Sequence, residues 1–256
     1  MLTSIKKLYN RFLPTQATAF DNSTNANDEK PDSPDDKPPF DEQFLEDFES
    51  LLLKRQQEIR EHDFYLNMQY PLLERKHVKN IKHVVDRIEL LEIFPPNGTA
   101  AEIGVDKGEY SEEILRIASP KKLHLIDSWS SDRYNDSLFE AVTNKYADLI
   151  AENIVEVNRG LSVDVLETFD DSYFDWVYID TDHSFSNTLQ ELELCSKKVK
   201  PEGIIAGHDF FIGNWITGYK YGTMEAVYKF CHEFEWEIIY LTTEIVYNSY
   251  ALRRLS

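Results

Sequence analysis

From residue 99 onward, short apolar runs alternate with stretches in which apolar residues recur every three to four positions. The short runs Thr99–Val105, Lys122–Ile126, Ile154–Asn158, Asp175–Ile179 and Gly203–Ala206 predict strands. The periodic stretches between and after them, Glu109–Ala118, Ser137–Ile150, Ser162–Phe169, Ser186–Val199 and Tyr221–Phe234, predict helices. Such alternation implies a parallel sheet with helices on both faces. Two last runs, Trp236–Leu241 and Ile245–Arg253, flank only a Thr-Thr-Glu turn. That spacing leaves no room for a crossover helix, so the pair reads as a hairpin with the final strand antiparallel. The predicted fold class is α/β, a seven-stranded, mostly parallel sheet with an antiparallel last strand.

The pattern upstream differs. Phe44, Leu45, Phe48, Leu51, Leu52 and Ile59 recur at helical spacing, and Phe64 follows. A second helical pattern is read over roughly Leu72 to Leu91, with Ile81, Val84, Val85, Ile88 and Leu91 on one face. Pro95-Pro96-Asn97-Gly98 then breaks the chain before the first strand. Residues 14–40 hold Pro14, Pro31, Pro34, Pro38 and Pro39 among Asp, Asn, Ser and Thr, which reads as a disordered acidic linker. The first 13 residues read as a short amphipathic helix or a frayed terminus. Three regions are expected: residues 1–39 as a disordered segment and linker, 40–96 as a helical accessory layer or cap, and 97–256 as the α/β domain.

Composition narrows the partners. The chain has 256 residues and a formal net charge of −19. That excess of acid argues against a nucleic-acid backbone, whose phosphates call for Lys and Arg. Cys195 and Cys231 both lie in helical patterns and read as reduced packing residues, which points to a cytoplasmic protein. No apolar run is long enough to span a membrane.

The chemistry-bearing residues cluster where the strands end. In sheets of this kind ligands bind at the carboxyl ends of the strands. Strand Thr99–Val105 carries Glu102-Ile103-Gly104, with Gly108 and Ser111 opening the next helix. The dinucleotide pattern G-x-G-x-x-G is replaced by Glu-x-Gly-x-x-x-Gly. An acid here would repel a pyrophosphate but accept hydrogen bonds from an ammonium group. The following strands end in Asp127-Ser128-Trp129, Asp180-Thr181-Asp182-His183 and His208-Asp209.

The glycine segment resembles motif I of the class I S-adenosylmethionine (SAM)-dependent methyltransferases. Tyr178-Ile179-Asp180-Thr181-Asp182-His183-Ser184-Phe185, followed by Lys200-Pro201-Glu202-Gly203 and His208-Asp209, is similar to the small-molecule O-methyltransferases of the catechol and macrocin type. The resemblance covers residues 99–256. It implies a Rossmann-like fold, SAM as cofactor, and transfer of a methyl group to a hydroxyl of a small molecule or sugar-containing metabolite. The cofactor-binding candidates are Glu102, Gly104, Gly108, Ser111 and Asp180, with Asp127 able to accept a ribose diol or to cap a loop, Trp129 able to lie against the adenine or in the core, and Ser162 matching the family's adenine-edge Gly-x-Ser or a plain helix N-cap. Carried over position by position, the resemblance implies Mg²⁺ or Mn²⁺ held by Asp180, His208 and Asp209, although the family's strand-end pair is Asp-Asn or Asp-Asp. His183, where catechol-type relatives carry a lysine, and His208 are the two candidates for the base, with Asp180 beside them.

In-line methyl transfer needs alignment and a deprotonated acceptor, and a positioned base supplies about 10²–10⁴-fold. The aromatic run Phe210-Phe211 to Tyr219 suggests an apolar, ring-shaped acceptor or a loop packed on the last helix. The expected partners are a small-molecule acceptor and a second copy of the chain through the N-terminal helices, with no nucleic acid and no membrane span. Alternatives remain: a methyltransferase fold kept as a binding module, a nicotinamide-dependent oxidoreductase, and a metal-dependent hydroxylase.

Overall fold

A computed structural model describes residues 42–61, 71–214, 219–245 and 247–255. The expectations for residues 1–39 lie outside them. Helix α1, Glu42–Glu61, bears the predicted apolar spacing, and Phe44 stacks on Phe48 one turn on.

The rest is organised on an eight-stranded sheet. Its strands are β1 Lys82–Val84, β2 Thr99–Ile103, β3 Lys122–Asp127, β4 Val155–Arg159, β5 Phe174–Ile179, β6 Val199–Gly207, β9 Trp236–Thr242 and β10 Tyr250–Arg254. The order is β1-β9-β10-β6-β5-β2-β3-β4, and every pairing is parallel except those of β10. A separate two-stranded ribbon pairs β7, Gly213–Asn214, with β8, Tyr219–Lys220. The helices after α1 are α2 Arg75–Val78, α3 Arg87–Leu91, α4 Glu109–Glu113, α5 Asp136–Lys145, α6 Ala147–Ala151, α7 Ser162–Glu167, α8 Phe185–Lys198 and α9 Thr223–Phe234. A π-helical turn, Ile114–Ala118, continues α4.

Both faces of the sheet are buried, which is why its central strands read as apolar runs rather than alternating ones. Ala100, Trp176 and Tyr178 face one core, where Phe94 packs on Trp176 and Tyr110 on Tyr178. Ala101, Ile103, Val177 and Ile179 face the other, with Leu192, Phe230 and Trp236. This is the period-two alternation of a strand applied to a two-faced core.

The predicted helix over Leu72–Leu91 is not formed. The segment divides into α2, the edge strand β1 and α3. Lys82–Val84 pairs in parallel with Tyr240–Thr242, adding an eighth strand to the expected seven. Val84 and Val85 are β-branched and suit a strand. Asp86 then caps α3, accepting the N–H groups of Ile88 and Glu89 at 2.9 Å, and the Glu89 carboxylate accepts the N–H of Val85. Val85, assigned to the apolar face, is 67% exposed. The predicted helix Ser137–Ile150 is likewise split at Tyr146, and the last strand starts at Tyr250 rather than Ile245.

Register brings the site together. Ile103 lies opposite both Ile126 and Ile179, and Ile179 opposite Gly207. The residues that follow, Gly104, Asp127, Asp180 and His208, therefore emerge at one level along the carboxyl edge. The chain leaves β2 toward β3 on one side and returns through β5 on the other, so a crevice opens where the strand order reverses.

Candidate active site

A cavity of about 460 Å³ fills that crevice. Glu102, Gly104, Asp127, Ser162, Asp180 and His183 line it, so six of the expected residues share one space.

Gly104 is the tightest point. It has φ +90°, and a Cβ there would stand 1.9 Å from the Asp180 carbonyl oxygen. No side chain fits. The glycine lets the loop after β2 close onto the end of β5. Gly108 (φ +69°) starts α4, and its carbonyl accepts the Tyr146 hydroxyl at 2.5 Å. Neither Gly108 nor Ser111 lines the cavity. Ser111 is fully buried and donates its hydroxyl to the Glu102 carboxyl. Glu102 is itself buried at the end of β2, and desolvation pushes its pKa up to about 8 against that hydrogen bond.

Asp127 holds the loop. One carboxylate oxygen accepts the N–H groups of Val105 (2.8 Å) and Asp106 (3.0 Å), and the other accepts that of Trp129 at 3.2 Å. Trp129, expected beside an adenine, does not line the cavity. It is fully buried, packs on Phe139, and donates its indole N–H to the Asp106 carbonyl at 3.1 Å. At that position the ring braces the glycine loop from behind. The apolar wall is supplied by Leu161, Val163 and Ile126 instead. Leu161 is 58% exposed, and Ser162 beside it begins α7.

At the β5–β6 end, the His183 Nε2 lies 3.1 Å from an Asp209 carboxylate oxygen. Asp180, His183 and Asp209 each present one ligand atom within 4.8 Å of the others. His208, expected as the third metal ligand, is not in that set. Its Nδ1 stands 3.7 Å from Asp180 and 3.5 Å from Asp209. Burial alone would pull the His208 imidazole down, but the neighbouring Asp209 and Asp180 carboxylates raise it above its ordinary value. Desolvation raises Asp180, assisted by Asp209 and opposed by His208, His183 and Arg87. His183 (φ +58°) and Asp209 (φ +53°) both hold a left-handed backbone. Such strain persists where the surrounding structure imposes it, as at reactive sites. An aromatic wall adjoins this end, with Tyr221 4.8 Å from His183 and Tyr247 6.1 Å from Tyr221.

Two lining or supporting residues had no visible signal in the sequence. Arg87, on α3, sits in a stretch read as plain helix, and its guanidinium lies 4.7 Å over the Tyr110 ring. Glu191, buried on α8, accepts the Thr181 hydroxyl (2.9 Å) and the Asn187 amide (3.0 Å), and burial lifts its pKa to about 7. Its place in an otherwise amphipathic helix gave no hint.

The model of a family described as a methyltransferase domain matches residues 101–210. No curated protein sequence matches the chain significantly. Among solved structures, the fold is similar to that of the pyocyanin biosynthetic protein PhzM, with a TM-score of 0.51 and 13% identity over 65% of this chain and 53% of that one. The present chain thus spans about half the length of that protein. It is also similar to a putative rRNA methylase from Clostridium thermocellum, with a TM-score of 0.51 and 14% identity over 66% of this chain and 94% of that one. The fold is accordingly the Rossmann-like fold seen in methyltransferases, and the match to the methyltransferase-domain family runs from β2 past the end of β6.

Proposed function

We propose that the protein transfers a methyl group from SAM to a hydroxyl of a small molecule. The observation that carries this reading is one cavity with two unlike ends. At one end an acid and a glycine loop await an amino-acid group. At the other, Asp180 and His183 line the cavity, with Asp209 behind them completing the cluster and Tyr221 packed on His183.

In this reading Glu102 accepts the cofactor's ammonium and Asp127 borders the ribose, with one carboxylate oxygen shared between that task and the Trp129 N–H. Leu161 and Val163 flank the adenine beside Ser162. The methyl then points toward His183. His183 lines the cavity and His208 does not, which favours His183 as base. The Asp209 carboxylate at Nε2 orients the ring and stabilises the imidazolium formed when Nδ1 takes the acceptor proton. Two carboxylates and an imidazole also suit a divalent cation, and Asp180, His183 and Asp209 would hold it. Such an ion would lower the pKa of the acceptor hydroxyl. Tyr221 and Tyr247 favour a ring-shaped acceptor. The acidic lining disfavours a phosphodiester one, so RNA is the weaker reading despite the rRNA-methylase likeness.

The test has two steps. SAM or S-adenosylhomocysteine, but not NAD, should raise the melting temperature, and labelled SAM should then methylate members of a panel of phenols and glycosides. His183→Ala should lower kcat by about 10²–10⁴-fold while cofactor affinity is kept. Stabilisation by NAD alone would defeat the reading. Unchanged turnover in the variant would remove His183 as base.

A further inference from the structure

The cavity is crowded with acid. Glu102, Asp106, Glu109, Asp127, Asp180 and Asp182 all line it. Against these six stand two lining cations, Arg87 and Lys107, and Lys107 is exposed to solvent. A ligand carrying a carboxylate would be repelled from most of this surface.

The glycine loop offers little relief. The N–H of Gly104 is given to Ile126, those of Val105 and Asp106 to Asp127, and that of Gly108 to Val105. The positive end that such a turn usually presents to an anion is mostly spent inside the protein.

Arg87 is different. It is the first residue of α3, placed by the Asp86 cap. The Tyr110 hydroxyl donates to its backbone carbonyl at 3.2 Å, and the Tyr110 ring lies beneath its guanidinium. Its nearest carboxylate, Asp180, is 3.8 Å away, beyond hydrogen-bond distance. Among the described residues the guanidinium makes no hydrogen bond, although its side chain is only 35% exposed. A planar fork of donors, held in place and unspent, fits a carboxylate in two-pronged fashion.

We infer that Arg87 binds the α-carboxylate of the cofactor's methionine moiety, opposite Glu102 at its ammonium. This rests on the SAM reading above. One carbon of the ligand carries both charges, and Glu102 and Arg87 both line the cavity within electrostatic reach of each other, Arg87 standing between Glu102 and Asp180 in its interactions. The segment read from the sequence as a covering helix thereby contributes a residue to the cofactor site.

Calorimetric affinities for SAM, decarboxylated SAM and 5′-methylthioadenosine, measured on the full chain and its variants, test this. The unaltered protein should bind decarboxylated SAM about 10- to 100-fold more weakly than SAM. Arg87→Met, which keeps an aliphatic stem over Tyr110, should weaken SAM by the same factor. It should leave decarboxylated SAM and methylthioadenosine within about 2-fold. Arg87→Lys should fall between. Glu102→Gln should weaken both amine-bearing ligands and spare methylthioadenosine. Equal affinity of the unaltered protein for SAM and its decarboxylated form would overturn the inference without any variant. So would an Arg87→Met loss shared by all three ligands, because that is the mark of a merely structural arginine. Failure of the unaltered protein to bind any of the three would defeat the cofactor reading itself, and this inference with it.

Discussion

Glu102 is a buried acid whose charge state depends on what it meets. Burial places its pKa near 8 in the free protein, far above the 4.5 of an exposed glutamate. A carboxyl shifted upward by folding is cheapest to bury when protonated. Its contribution to stability therefore falls as pH rises from about 4.5, and the loss is complete above about 8. An ammonium ligand needs the ionised form. Binding S-adenosylhomocysteine at pH 7 should then release close to one proton, seen as a buffer-dependent enthalpy in calorimetry. Glu102→Gln should abolish the release, and equal enthalpies in phosphate and Tris would contradict the assignment. The sequence exposed this acid through its place before Gly104. It did not expose Ser111 as the donor that satisfies it, because that contact depends on how α4 folds back over β2.

At the scale of elements, the segment between residues 72 and 91 is the instructive case. Its apolar spacing matches a helix, yet three residues of it form a strand. Parallel pairing with β9 decides the matter, and β9 is more than 150 residues away in sequence. Local periodicity carries no information about a partner that distant. The Asp86 cap then restarts the helix and aims Arg87 at the cavity. Asp86→Ala should cost about 1 kcal/mol in a urea titration, as for other N-cap losses. It should also weaken SAM binding by loosening Arg87. A variant destabilised to that degree but unchanged in affinity would separate α3 from the site. The glycine turn shows the converse. Gly104 was legible because its role is local in sequence, although the atom that excludes a Cβ, the Asp180 carbonyl, lies on another strand.

For the whole molecule, the net charge of −19 and the acidic crevice act together. Like charges held close in a compact chain repel, and salt screens them over a Debye length of about 10 Å at 0.1 M. The melting temperature should rise between about 20 and 200 mM NaCl, and RNA should not be retained on a filter at either salt concentration. A falling melting temperature would show that attractive pairs outweigh the repulsion. The alternation of strand and helix, the closing hairpin and the acids at the strand ends were all determined by the sequence alone. Each follows from periodicity, loop length or residue type within a few positions. Only the tertiary structure decided that Lys82–Val84 joins the sheet, that Trp129 turns away from the cavity to brace the loop, that His183 rather than His208 completes the cluster with Asp180 and Asp209, and that Arg87 enters at all. These depend on strand register and on packing between segments far apart in the chain, where distances of a few ångströms choose among side chains that the sequence leaves equivalent.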